Sequence, residues 1–259
     1  EEGALERALL AALREGSGLD VGPEALVAHD LALHDTQPAA LGGLGGELVQ
    51  SARLDNLVSC HAALTALVAA PPGDPTLGVV LHDHEEVGSQ SASGAGSLVL
   101  RAILERVARA LPAAGRDPEA RALATSFLVS ADMAHAVHPA HADRHDAEHP
   151  PRLGAGPVIK VNASQSYATD APGAAVFERA CREALVPTQR FASRADQRCG
   201  STIGPLSAAR LGVRAVDVGN PMLSMHSCRE VAATADVPRM IAALGAVLAS
   251  AERTPPPAA

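Results

Sequence analysis

The stretch Leu77-Gly78-Val79-Val80-Leu81-His82-Asp83-His84-Glu85-Glu86-Val87-Gly88-Ser89 decides how this chain is read. A short apolar run ends abruptly in polar residues that can ligate a metal or carry a proton. The run itself, Thr76 to Leu81, predicts a strand. Neighbours on a strand point to opposite faces, so the pair Glu85-Glu86 belongs in a turn at the strand's end. There one carboxylate can hold a cation while the other leans over a water beside it, the division of labour a hydrolytic metal site needs. Alone, the pair reads more simply as a solvated acidic loop.

The rest of the composition narrows the field. A chain of 259 residues allows one large α/β domain or two modest ones. With 47% hydrophobic and 19% charged residues it is of the soluble globular class, and with only 2% aromatics its core volume must come from Leu, Val and Ala. A net charge of -8 argues against nucleic-acid backbone or an anionic membrane as a partner. No apolar run reaches the roughly 18–20 residues of a membrane span, and no signal-peptide pattern opens the chain. Cys60, Cys181, Cys199 and Cys228 are scattered without a Cys-x-x-Cys pair, which suits reduced thiols and a cytoplasmic setting. Lys160 is the sole lysine. The chain opens on Glu1 rather than Met, within a helix-like stretch, so a piece of a longer protein is expected; the Pro-rich tail, Thr254 to Ala259, is expected to fray.

Outward from the central stretch, helical and strand patterns alternate. Helices are expected over Glu2–Arg14 (stopped by Gly16-Ser17-Gly18), Asp55–Ala70, Gly96–Leu111, Gly173–Leu185, Ser201–Leu211 and, as one long closing element, Cys228–Ser250 with a break near Pro238. Strands are expected over Glu24–Leu33, Phe127–Val129, Val158–Val161, Arg190–Ala192 and Val213–Val218, with Asp35–Gly46 as loop or linker. The alternation implies an α/β fold, a three-layer sandwich whose mostly parallel or mixed central sheet is flanked by helices.

Sites in such sheets form at the carboxyl ends of strands. Glu85 and Glu86 follow one apolar run, Asp132 follows Phe127-Leu128-Val129-Ser130-Ala131, and His226 follows the last strand by a short connection. Asp55 sits at the mouth of a helix. Singly, Asp55 reads as an N-cap, Asp132 as a turn residue and His226 as a loop histidine. Together, three carboxylates, an imidazole and a spare Glu make an inventory for zinc or a similar divalent metal. The histidines His135, His138, His141, His145 and His149 share helical spacing, but Pro139 and Pro150-Pro151 favour a solvated loop, with only His135 near the cleft.

Five motifs then resemble one family: Ser51-Ala52-Arg53-Leu54-Asp55-Asn56-Leu57, Asp83-His84-Glu85-Glu86-Val87-Gly88-Ser89, Ser130-Ala131-Asp132-Met133-Ala134-His135, Gly200-Ser201-Thr202-Ile203-Gly204-Pro205 and Leu223-Ser224-Met225-His226-Ser227. In this order they resemble the aspartyl aminopeptidases, dinuclear zinc exopeptidases. The resemblance implies two Zn2+ per active site, with Co2+ and Mn2+ as alternatives, a homo-oligomer, and peptide substrates with an acidic N-terminal residue. It implies Asp55 as the carboxylate bridging both metals, Glu86 and His226 as further ligands of one, Asp132 as a ligand of the other, and Glu85 as general base. His135, Lys160 and Tyr167 match positions lining the substrate pocket, where a lysine suits an acidic side chain; the plainer reading of Lys160 is a solubilising charge on a strand edge. Members of the family are much longer, and their N-terminal part supplies a His-x-Asp motif that neither His29-Asp30 nor His34-Asp35 reproduces. The chain is therefore expected to be the C-terminal portion, with residues 1–46 a remnant of an inserted assembly domain and its linker, and residues 47–259 the catalytic domain. A catalytically incomplete fragment or pseudo-enzyme with a binding or assembly role is the alternative.

Overall fold

The computed structural model describes residues 3–73, 75–111 and 116–250; the tail expected to fray lies outside them. The chain divides into two compact units, Glu1–Asp35 and Thr36–Ala259. The first holds helix α1 (Ala4–Ser17), which ends as its glycines predict: Gly18 takes a left-handed φ of 70° and its N–H closes on the Arg14 carbonyl. The strand expected over Glu24–Leu33 does not form. Pro23–Ala25 make a single 3-10 turn, and the residues after it lack regular structure. A strand needs a partner to take its hydrogen bonds, and no described strand of this unit supplies one.

The second unit runs β1 (Ala40–Gly42), β2 (Leu48–Ser51), α2 (Leu54–Ala69), α3 (Val99–Ala110), α4 (Pro118–Ala124), β3 (Phe127–Ala131), β4 (Ala134–His135), β5 (Val158–Val161), α5 (Ala171–Glu183), β6 (Gln189–Ala192), α6 (Ile203–Leu211), β7 (Arg214–Gly219), β8 (Pro221–Leu223), β9 (Glu230–Ala233) and α7 (Asp236–Ala249). The central sheet has the order β3-β7-β5-β6, with β7 and β5 antiparallel and the outer pairs parallel. Its alternating residues sort the layers. Val216 and Val218 of β7 join Ile159 of β5, Ala62 and Ala66 of α2, Phe177 of α5 and Met240 of α7 in one core. Asp217, between the two valines, points the other way; it accepts hydrogen bonds from Thr202 Oγ1 at 2.6 Å and the Ala168 N–H at 2.6 Å, tying down the start of α6. The three-layer α/β expectation holds. No described helix is long and apolar enough to cross a membrane.

Two expected elements change. The long closing helix is instead β9 followed by α7, and Pro238 falls in the first turn of α7, where its missing N–H costs nothing. The apolar run Thr76–Leu81 has no regular secondary structure; Leu77 and Val79 are half-buried and Gly78 and Val80 exposed, and among the described residues it pairs with no strand. Periodicity reports which side chains seek cover; pairing depends on a neighbour that the pattern does not supply.

A second sheet, missed by the sequence reading, has the order β1-β2-β9-β8-β4. It absorbs part of the stretch expected as a linker, since β1 pairs with β2 from Ala40 to Gly42. The two sheets share a ladder. The N–H groups of Asp132, Ala134 and Ala136 donate in succession to the carbonyls of Val218, Asn220 and Met222, at 2.9, 2.9 and 2.8 Å. So β3 runs into β4, and β7 into β8, side by side across the junction. A side chain at Gly219 would drive its first carbon into the Asp132 carbonyl, so only glycine allows this approach. Gly219→Ala is expected to lower unfolding stability by about 1–3 kcal/mol, seen as a lower denaturant midpoint at unchanged slope.

Candidate metal centre

The junction between the sheets carries Asp132, and several other segments converge on the same cleft. Helix α2 delivers Asp55. No side chain caps this helix; Arg53 precedes it in a left-handed conformation, and the N-cap reading of Asp55 is not what is found. Glu85–Val87 form one 3-10 turn between His84 and Gly88, both left-handed at φ 58° and 96°. This turn places Glu85 and Glu86 on the cleft wall. His226, itself left-handed at φ 66°, follows Ser224 in a turn closed by the Ser227 N–H on the Ser224 carbonyl. The cleft has a volume of about 640 Å³, a size that suits a small peptide ligand.

Three of the expected ligands come together. His226 Nε2 lies 3.3 Å from Asp55 Oδ2 and 3.1 Å from Glu86 Oε2. One ligand atom from each residue lies within 4.8 Å of the others, and this is the one such group of three among the described residues. Asp132 is not one of the three but adjoins Asp55, to whose carboxyl it is hydrogen-bonded, and its Oδ2 accepts from Lys160 Nζ at 3.4 Å. Lys160 is 3% exposed, so it is not the strand-edge solubilising charge of the plainer reading. Its Nζ also donates to the Met133 carbonyl at 2.6 Å and lies 5.5 Å from the centre of the Tyr167 ring. His135, on β4, lines the same cleft with Lys160 and Tyr167.

The histidine-rich stretch forms no metal cluster among the described residues. It is an exposed turn, in which His138 and His141 stack at 5.3 Å and His149 Nδ1 meets Asp146 Oδ1 at 2.8 Å. His138 and His145 reach the cleft's mouth.

Glu230, on β9, was not singled out from the sequence. It is 2% exposed. Its Oε2 accepts from the Asp55 N–H at 2.9 Å and its Oε1 from the His226 N–H at 2.8 Å. One buried carboxylate thus holds the backbones of two residues of the triad. The signal in the sequence was a glutamate at the start of the apolar run Val231-Ala232-Ala233.

The site's charges are unbalanced. Burial, then the Asp132 and Glu86 carboxylates, push the pKa of Glu85 up to about 7, against the opposing pull of Lys160 and His226. Burial, Asp132 (by charge and hydrogen bond), Glu86 and Glu230 raise that of Asp55. Crowding by the protein, with Lys160 and His226 nearby, lowers that of His135, and burial raises that of Tyr167, keeping it a neutral phenol. A divalent cation among Asp55, Glu86 and His226 would offset the clustered negative charge. Asp55 Oδ1, buried with no hydrogen-bond partner, is a free donor for it. Two carboxylates and an imidazole fit zinc.

Comparison with known proteins agrees. The family described as Aminopeptidase I zinc metalloprotease (M18) matches residues 2–247. A probable M18 family aminopeptidase 2 of Stutzerimonas stutzeri is 51% identical over 223 residues, covering 86% of this chain and 51% of the relative. Among solved structures, one titled as the Ape4 and Nbr1 complex superposes with a TM-score of 0.84 at 38% identity, covering 95% of this chain and 47% of the other. The S. cerevisiae mApe1 dodecamer gives 0.79 at 28%, covering 93% and 54%. The chain spans about half the length of the relatives it matches. With nearly its whole length matched by that family and its fold shared with these structures, the chain belongs to the M18 zinc aminopeptidases.

Proposed function

We propose that this chain carries the catalytic domain of an aminopeptidase that removes Asp or Glu from peptide N-termini, with residues 47–259 as that domain and residues 1–46 as a remnant of an inserted domain. The meeting of Asp55, Glu86 and His226, with Glu85 next in sequence to one of them, carries the reading. In it, Asp55, Glu86 and His226 would hold one zinc, and Asp132 would contribute with Asp55 to holding a second. The metals supply Lewis acidity, polarising the scissile carbonyl and making a nearby water a better acid.

Glu85 does the proton work. Glu85, on the cleft wall next in sequence to Glu86, is placed to take a proton from water and return it to the leaving group. Water adds through oxygen to the carbonyl carbon as Glu85 takes its proton. Glu85 then protonates the leaving nitrogen and the C–N bond breaks, releasing the amino acid and the shortened peptide. Lys160 sets the preference for an acidic side chain. Its ammonium has three donors, of which Asp132 and Met133 take two, leaving one for the substrate's carboxylate. Tyr167 and His135 complete that wall. The dodecamer of the yeast relative supports self-assembly here, and the scattered cysteines support a cytoplasmic setting.

A second reading rests on the single triad and the half-length match: a one-metal, catalytically incomplete chain whose role is binding or assembly. Metal analysis separates the two, near two metals per chain favouring the enzyme and one or none the other.

Asp release from an Asp-peptide is expected to disappear on chelation and to fall roughly 10²–10⁴-fold in Glu85→Gln at unchanged metal content, while Lys160→Met narrows the preference for Asp over Leu. Full activity in Glu85→Gln would remove it as the base. Stability should respond to pH in the sense set by raised carboxyl pKa values. Between the ordinary carboxylate range and about 8 these two carboxyl groups bind more protons in the folded metal-free chain than in the unfolded one, so their contribution to stability falls as pH rises through that window. Thermal unfolding of the metal-stripped protein should therefore show a lower midpoint at pH 8 than at pH 5.5, and added Zn2+ should raise it more at pH 8. Glu230→Gln should weaken Zn2+ binding by about 10- to 100-fold, measured by competition with a chromophoric chelator, with Glu85 untouched.

A further inference from the structure

The cleft does not end at the metal centre. A second groove, about 860 Å³ in volume, opens off it, and the loop after β6 lines both, with Ser193, Arg194, Gln197, Arg198 and Cys199. The groove's other wall is the turn after β5, where Asn162 Oδ1 accepts from the Ser164 N–H at 2.9 Å. Asn162 Nδ2 also donates to Ser193 Oγ at 3.1 Å, tying the turn to the loop. β5 and β6 pair in parallel, so both walls leave the sheet at its carboxyl edge, the edge at which ligands bind. An aminopeptidase substrate has nothing before its first residue. A groove that continues the cleft therefore houses the residues after the scissile bond.

Charge is segregated along this path. Apart from Asp55, Glu85, Glu86 and Asp132, no described residue lining the cleft or the groove is acidic, although the chain carries a net charge of -8. Arginines stand there instead. Arg194 is committed to the fold: its Nε and Nη2 donate to the two oxygens of Asp196 at 2.8 and 2.7 Å, and its Nη1 to the Asp143 carbonyl at 2.6 Å. It thereby staples the loop after β6 to the 3-10 turn Pro139–Arg144. Each stapled arm carries a second arginine into the cleft, Arg198 on the loop and Arg144 on the turn. Both are exposed, and neither has a hydrogen-bond or ion-pair partner among the described residues. Beside Arg144, the Nδ1 of His145 is buried on the cleft wall without a partner. Buried polar atoms in natural proteins are paired, so this one is left for the main chain of a ligand.

We propose that Arg198, with Arg144, takes a second carboxylate of the peptide, one that lies beyond the scissile bond from the acidic residue held at Lys160. A guanidinium matches a carboxylate two donors to two acceptors, and the staple through Arg194 presents both arms without using either free guanidinium. The inference rests on the aminopeptidase reading above and extends it from the first residue to the next. The carboxylate has two sources, the side chain of an acidic second residue or the C-terminus of a dipeptide. Either way, the favoured substrates carry acid on both sides of the bond that breaks.

The test measures peptide affinity on this chain carrying Glu85→Gln and loaded with Zn2+, so that binding is read without turnover. Three peptides share their first residue: Asp-Ala-amide has no second carboxylate, Asp-Ala ends in one, and Asp-Glu-Ala-amide carries one on its second side chain. One or both of the latter are expected to bind about threefold to tenfold more tightly than Asp-Ala-amide, the advantage shrinking as salt rises; which of them gains names the source. Arg198→Gln should bring the ratio towards one, and Arg198→Glu should invert it in favour of Asp-Lys-Ala-amide. Equal affinity for the three peptides, or a ratio unmoved in both Arg198 variants, overturns the inference and leaves the acidic first-residue reading standing. Absence of binding by any of them, or equal binding of Leu-Ala-amide, overturns that reading and the inference with it.

Discussion

Five carboxylates crowd one cleft, and the structure around it is arranged to bear their mutual repulsion. Asp55, Glu85, Glu86, Asp132 and Glu230 sit within electrostatic reach of one another, and Lys160 and His226 are the neighbours that oppose the rise at Glu85. Like charges held in a partly buried site cannot all ionise at ordinary cost. Glu230 is stabilised by two backbone N–H groups, Asp132 by Lys160, and the burden left falls on Asp55 and Glu85 as raised pKa values. The fold accepts this cost because four separate elements carry the five carboxylates: Asp55 at a helix start, Glu85 and Glu86 on one 3-10 turn, Asp132 at a strand end and Glu230 on the second sheet.

That arrangement depends on the junction of the two sheets. Where β3 becomes β4 and β7 becomes β8, the parallel ladder continues without a gap, so Asp132 is positioned by hydrogen bonds on both sides of it. Gly219 makes the close approach sterically feasible. Lys160, from β5, then spans beneath the junction to Asp132 and Met133. The cleft floor is therefore built from backbone continuity and one buried cation, with aromatic packing at its side, where Phe191 meets Tyr167 and His145 edge-on.

The chemistry was more legible in the sequence than the framework that holds it. Asp55, Glu85, Glu86 and His226 stand out because polar residues at the ends of apolar runs have few structural reasons to be there. The central strands were legible where Val and Ile are buried on both faces, as in Val158–Val161 and Val213–Val218. The second sheet was not, because β1, β4 and β8 are two or three residues long and carry too few side chains to show a period. Cys228–Ser250 misled because Ala-rich strands and helices share a composition; burial of Glu230, not propensity, distinguishes them. Thr76–Leu81 shows the converse, a clear strand pattern that pairs with no strand among the described residues. Glu230 and Asp217 share a cue that could have been used: an acidic residue within or bounding an apolar strand is costly to bury and implies specific donors.

The lone lysine has a further consequence. Every other fixed side-chain cation is an arginine, and Lys160 is enclosed between Met133, Asp132 and Tyr167. Outside the cleft the folded surface therefore presents guanidinium groups but no ε-amine, and guanidinium resists the acylation and alkylation to which an amine is open. Cleavage by a lysine-directed protease, which needs the backbone around Lys160 as well as its side chain, reports on one event only: the opening of the floor beneath the cleft.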